Sequence, residues 1–188
     1  GLGDVYKRQG RTRFRKDVLF KACVNGSSEL MTNLSSSIVS SLYNVQLMKI
    51  AGENGVAAYG TIMYVNFVFI AIFFGYSIGS APVISYNYGA GNHDELKNMF
   101  KKSFTLITVW GAGLAVAAQL LAAPFSKFFV GYDKELLAMT IHGFRIYSLA
   151  YLINGFNIFG SSFFTALNNG VISAVISFMR TLVFQIGA

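Results

Sequence analysis

Long runs of apolar residues, free of charge and broken by short polar stretches, repeat along this chain. A helix crossing a bilayer needs about 20 consecutive, mostly apolar residues. Leu30 to Met48 is such a run, with Glu29 at its entrance and Lys49 at its exit, and it predicts a first span over 28–49. Between Asn54 and Asn92 there is again no Asp, Glu, Lys or Arg. That run predicts a long second span over 56–88, bent near Pro82, where proline removes a backbone hydrogen bond. A polar connection follows from His93 to Lys102, then a third span over 103–126 that ends near Pro124. Lys127 to Glu135 reads as a short loop, and a fourth span is expected over 136–167. Asn168-Asn169-Gly170 is a tight-turn signal. A fifth span begins at Val171 and still runs at Ala188. The pattern predicts an all-α polytopic membrane protein of about five transmembrane helices, and a chain that ends mid-helix is expected to be a fragment.

Composition points the same way. Of the 188 residues 54% are hydrophobic and only 12% charged, about half the charged share of a soluble domain. Mean hydropathy is +0.51. The net charge of +7 changes the picture only through its location. Lys7, Arg8, Arg11, Arg13, Arg15, Lys16 and Lys21 precede the first apolar run. No basic stripe is interleaved with aromatics, so no nucleic-acid partner is predicted. Residues 10–27 read instead as a basic cytoplasmic linker facing the lipid bilayer, and residues 1–9 (GLGDVYKRQ), which fit nothing downstream, as a non-native scar. The basic segments fall before the first span and between the second and third. The rule that cytoplasmic loops are positively charged therefore puts the N-terminus of the fragment in the cytoplasm; a bacterial inner membrane is the expected setting.

Enzyme chemistry finds no foothold. Cys23 is the sole cysteine, and His93 and His142 lie far apart, so neither a metal-site spacing nor a nucleophile–base pair is formed. No metal and no cofactor are expected, and the protein is read as not an enzyme.

Polar residues inside the spans carry the functional signal, because at membrane depth they face protein or a water-filled cavity. In the first span Glu29, Asn33, Ser36, Ser37, Ser40 and Asn44 recur every three or four residues, with Ile38, Leu42, Val45 and Leu47 largely opposite. This is a cavity-lining stripe or a helix–helix packing seam. Glu29 could take up H⁺ or Na⁺, or be a helix-start charge favoured by the dipole. In the fourth span Tyr147, Tyr151, Asn154, Asn157 or Ile158, and Ser161 repeat at helical spacing. Their rings and amides suit cationic or apolar solutes, or form a Tyr/Asn seam. Arg145 is expected to snorkel to the interface. Arg180, deeper in the fifth span, would need a carboxylate or carbonyl partner.

Residues 79–91 read GSAPVISYNYGAG. With MYVNFVFIAIFFGYSIG (63–79) and FRIYSLAYLINGFNIFGSSFFTALNNG (144–170), they give a chain that resembles the second half of multidrug and toxic compound extrusion (MATE) transporters over about residues 13–188. The matching motif positions are Gly79, Pro82, Asn87, Gly89 and Ala90. The resemblance implies a fold of two six-helix lobes that rock about a central cavity, exchanging drug-like cations or apolar compounds for Na⁺ or H⁺. This chain would be the C-lobe over 28–188 without its last helix, and its partner the missing N-lobe of the same chain. One departure stands out. Some relatives carry acidic residues midway along the seventh helix and in the tenth, whereas here the first position falls near Ser37 and the tenth-helix stretch has no carboxylate. The resemblance therefore implies multidrug efflux by antiport without carrying over the ion site. A lipid-linked precursor flippase of related architecture and a non-transporting membrane module are the alternative readings.

Overall fold

The structure, a computed structural model, describes residues 15–179 and 181. Five helices follow one another: α1 (Lys16–Gly89), α2 (His93–Val130), α3 (Lys134–Ser148), α4 (Tyr151–Ala166) and α5 (Gly170–Phe178). No strand occurs among the described residues. The protein is an all-α polytopic membrane protein. Both α1 and α2 are long and apolar enough to cross a bilayer, and α3 with α4 meets the same measure as one span bent by 52°.

Helix α1 is two spans in one element. Gly52 adopts φ 63°, ψ −155° and is the only residue in the 74 with non-helical backbone. Few side-chain-bearing residues adopt that combination. The chain reverses there, and the rings of Tyr43 and Tyr59 stack with centroids 5.8 Å apart. On a straight helix sixteen residues would separate them by about 24 Å. Gly55 completes the reversal, since a Cβ on it would lie 2.6 Å from that of Ala51. The connection expected at 49–55 is thus a glycine hinge with helix on either side. The two limbs cover 16–51 and 53–89.

The other connections are equally short. At the end of α1 the N–H of Asn92 donates to the carbonyl of Asn87 at 2.9 Å and that of Gly91 to Tyr88 at 3.1 Å. Gly91 carries the positive φ of 69°, so this is a Schellman ending. The turning glycine is Gly91; Gly89 in the motif is the last helical residue. Asn92 then caps α2, its side chain accepting from the N–H of Glu95. The polar stretch 93–102 is therefore the opening of a helix rather than a loop. Backbone angles stay helical through Pro82, and α2 runs through Pro124 to Val130, so neither proline ends an element. Asp133 caps α3, accepting from the N–H groups of Glu135 and Leu136. After α4, Asn168 takes φ 58° and Asn169 caps α5.

The core lies between the second limb of α1, α2 and the α3–α4 pair. Phe69 sits at its centre, stacked on Tyr151 at 5.3 Å and edge-on to Phe125 and Phe144. Ala118 and Ala122 of α2 are fully buried; small residues let apolar helices approach closely in lipid. Outward-facing Phe67, Val68, Val116 and Leu120 are largely exposed, as residues against hydrocarbon should be. Between α4 and α5 the seam is made of hydroxyls: Ser161 meets Ser173 at 2.8 Å and Ser177 at 2.9 Å. Ser161 thus belongs to packing, although its spacing had placed it on a solute-facing stripe.

The two ends of the bundle differ in charge. Ser85 donates to the carbonyl of Ala166 at 2.8 Å, and Asn25 to that of Thr165 at 3.3 Å. These contacts gather the start of α1, the 90–92 turn and the 167–169 turn at one end. That end carries Arg15, Lys16, Lys21, Lys97, Lys101 and Lys102 against Asp17, Asp94 and Glu95, a net positive set. At the other end Ala58, Val130 and Leu136 pack together, near the mixed charges Lys49, Glu53, Lys127, Asp133, Lys134 and Glu135.

Candidate functional site

The polar stripe of the first limb is a real surface. Its packing side is occupied by Ser35 and Val39, 2% and 5% exposed, whereas Glu29, Asn33, Ser36 and Ser37 are exposed, and Ser40 and Asn44 are half-buried. Three of these groups fold back on their own helix. Asn33 donates to the carbonyl of Glu29 at 2.9 Å, Ser37 to that of Asn33 at 2.9 Å, and Asn44 to that of Ser40 at 3.0 Å. Such i−4 bonds satisfy the donors while leaving the acceptor oxygens outward. None of these three donors reaches another helix among the described residues. Glu29, one turn before Asn33, makes no ion pair among the described residues.

At the hinge end the stripe meets aromatic rings. Tyr59 of the second limb stacks on Tyr43. Tyr147 of α3 is an electrostatic neighbour of both tyrosines, and its ring meets that of Tyr151 edge-on at 6.0 Å. Tyr43, Tyr59 and Tyr147 thus lie near one another at this end of the stripe, and Tyr151 meets Tyr147 from the core. Tyr43 and Tyr59 escaped the sequence reading because their partnership exists only once Gly52 folds the chain back; the G-E-N-G segment at 52–55 was the available signal.

The fourth-span residues divide at the break between α3 and α4. Tyr147 is half-buried, but Tyr151 is fully buried with its ring on Phe69, which makes it a core residue rather than one lining an open surface. The bend is the cause. The expectation treated 136–167 as one helix, and the 52° change of direction turns the residues after Leu149 away from the face defined before it. Asn154 and Asn157 are half-buried on α4, with no side-chain hydrogen bond among the described residues. The hydroxyl of Tyr151, the Oγ of Ser77 and the Oδ1 of Asn66 are buried and likewise unpartnered there. Arg145 is exposed, and its carbonyl accepts from Gln119 at 2.9 Å. Arg180 lies outside the described residues.

In the 79–91 segment, Gly79 and Pro82 are exposed. Asn87 is the knot of the turn. It donates to the carbonyl of Val83 at 2.9 Å and accepts from the side chain of Asn92 at 3.3 Å.

Residues 30–187 match the family model MatE. The chain belongs to the MatE family. A solved structure described as a crystal structure of MATE in complex with MaL6 superimposes with a TM-score of 0.85 at 21% identity, covering 93% of this chain. The chain spans 39% of the length of that structure. No curated protein sequence matches it. The fold of this MatE chain is accordingly that of part of the solved transporter structure, and the polar stripe with Tyr43 lies on its surface.

Proposed function

We propose that this MatE chain is the partial C-lobe of a secondary-active multidrug efflux transporter, one that exchanges small cationic or apolar compounds for Na⁺ or H⁺ by alternating access. The observation that carries this reading is the stripe of exposed Asn33 and Ser37 and half-buried Ser40 and Asn44 that runs toward Tyr43, Tyr59 and Tyr147. Amide and hydroxyl oxygens facing hydrocarbon would be costly, so the stripe belongs against water, in a cavity closed by the missing N-lobe. Ring faces at one end of such a cavity attract organic cations. Glu29, exposed and without an ion-pair partner among the described residues, is the carboxylate best placed to take up the coupling ion. The basic end of the bundle is the cytoplasmic end by the charge rule, and a bacterial inner membrane is the setting.

The test is efflux of cationic dyes by the full-length parent protein in proteoliposomes, under imposed Na⁺ or H⁺ gradients. Gradient-driven efflux that Glu29→Gln weakens, with insertion unchanged, supports antiport coupled through this lobe. Efflux untouched by Glu29→Gln moves coupling to the other lobe. No efflux of any dye under either gradient counts against the antiporter and in favour of the flippase.

A further inference from the structure

An open trough of about 400 Å³ lies at the basic end of the bundle, away from the polar stripe, where the 90–92 turn meets the end of α4. Its floor is apolar: Leu96 and Phe100 of α2 face Phe163 and Leu167, and the rings of Phe100 and Phe163 meet at 5.3 Å. Further along the same helices Phe104 and Phe156 approach to 4.6 Å, continuing the apolar track toward the middle of the bilayer. The rim is cationic. Lys97 and Lys101, one turn apart on α2, and His93 border the opening.

Two carboxylates lie nearby. Asp94 reaches Lys97 at 3.8 Å in a fully exposed pair, and Glu95 accepts from Asn98. An exposed pair of that kind holds Lys97 weakly, and Lys101 has no carboxylate partner among the described residues. Cations above an apolar track, at the level where a spanning helix leaves the hydrocarbon, match a ligand with an anionic head and an apolar tail. We propose that this trough binds an anionic phospholipid of the same leaflet, its phosphate between Lys97 and Lys101 and one acyl chain along Phe100 and Phe163. The proposal rests on the lobe's membrane fold and stands apart from any antiport activity.

The experiment uses the full-length parent protein purified in mild detergent and mixed with equal amounts of phosphatidylglycerol and phosphatidylcholine. Native mass spectrometry then reads the lipids retained. The expected result is enrichment of phosphatidylglycerol, falling about fivefold for each of Lys97→Gln and Lys101→Gln, and restored in the Lys97→Arg/Lys101→Arg protein. Lys127→Gln, at the opposite end, should leave the enrichment unchanged. Equal retention of the two lipids by the unaltered protein would overturn the proposal. So would an equal loss with Lys127→Gln, which would mean diffuse charge attraction. Displacement of the lipid by millimolar glycerol phosphate, which has no acyl chains, would reassign the site to a soluble phosphate and also overturn it.

Discussion

The side-chain amide of Gln119 donates to the carbonyl of Arg145 at 2.9 Å and to the hydroxyl of Ser148 at 2.7 Å, so α2 holds the last turn of α3 just before the span bends. The hydroxyl of Ser148 in turn donates to the same carbonyl. A helix end within a membrane needs its free carbonyls satisfied, and here a neighbouring helix supplies a donor. Gln119→Leu removes both bonds and should cost about 1–2 kcal/mol. Thermal unfolding of the full-length protein is the check; an unchanged midpoint would mean that the break is held by packing alone.

Gly52 sets the hairpin of α1. Gly52→Ala puts a Cβ on a backbone that strongly disfavours one, at about 1–3 kcal/mol. The change should loosen the apposition of the two limbs. In a protein with Cys23 replaced, Tyr43→Cys and Tyr59→Cys should cross-link readily, and adding Gly52→Ala should slow that cross-link. Equal rates with and without the alanine would contradict the assignment of the turn to this residue.

Gly155 and Gly160 lie on one helix and should respond oppositely. A Cβ at Gly155 would fall 2.5 Å from the ring of Phe73 and 2.7 Å from Ile107, whereas one at Gly160 meets nothing within 4 Å. Gly155→Ala is therefore expected to destabilise by about 1–3 kcal/mol through overpacking. Gly160→Ala should be neutral or slightly stabilising, because alanine favours helix. Parallel thermal melts of the two variants compare them directly.

If the tyrosine cluster receives organic cations, Tyr43→Ala and Tyr59→Ala should each raise the KM for a cationic dye about tenfold, the loss of one desolvated ring contact. Tyr59→Phe keeps the ring and loses only the hydroxyl, so its KM should move less than twofold. Similar effects from alanine and phenylalanine would point to the hydroxyl instead of the ring face.

What could be read in advance was whatever lipid imposes on composition. The runs at 30–48, 54–92 and 103–126 mark spans because charge is excluded from hydrocarbon. The same logic misplaced their ends. Helical hydrogen bonding does not stop where the bilayer does, so α2 opens at His93, ten residues before its apolar run. The bend at Leu149–Ala150 left no Gly or Pro to announce it, and that omission put Tyr151 on the wrong surface. The stripe from Asn33 to Asn44 was legible because one straight limb preserves the 3.6-residue period. Tyr59 was not, since its neighbours come from another limb and another helix.

Among the described residues the turns are three residues long at 90–92, 131–133 and 167–169, two at 149–150, and a single glycine at the α1 hinge. Joints so short leave no slack between neighbouring helices. A displacement imposed on one of them cannot be absorbed at its ends and is handed on to the next. If the described helices move in transport, they should therefore move as a single leaf, a tilt at the basic end being matched among the tyrosines at the far end.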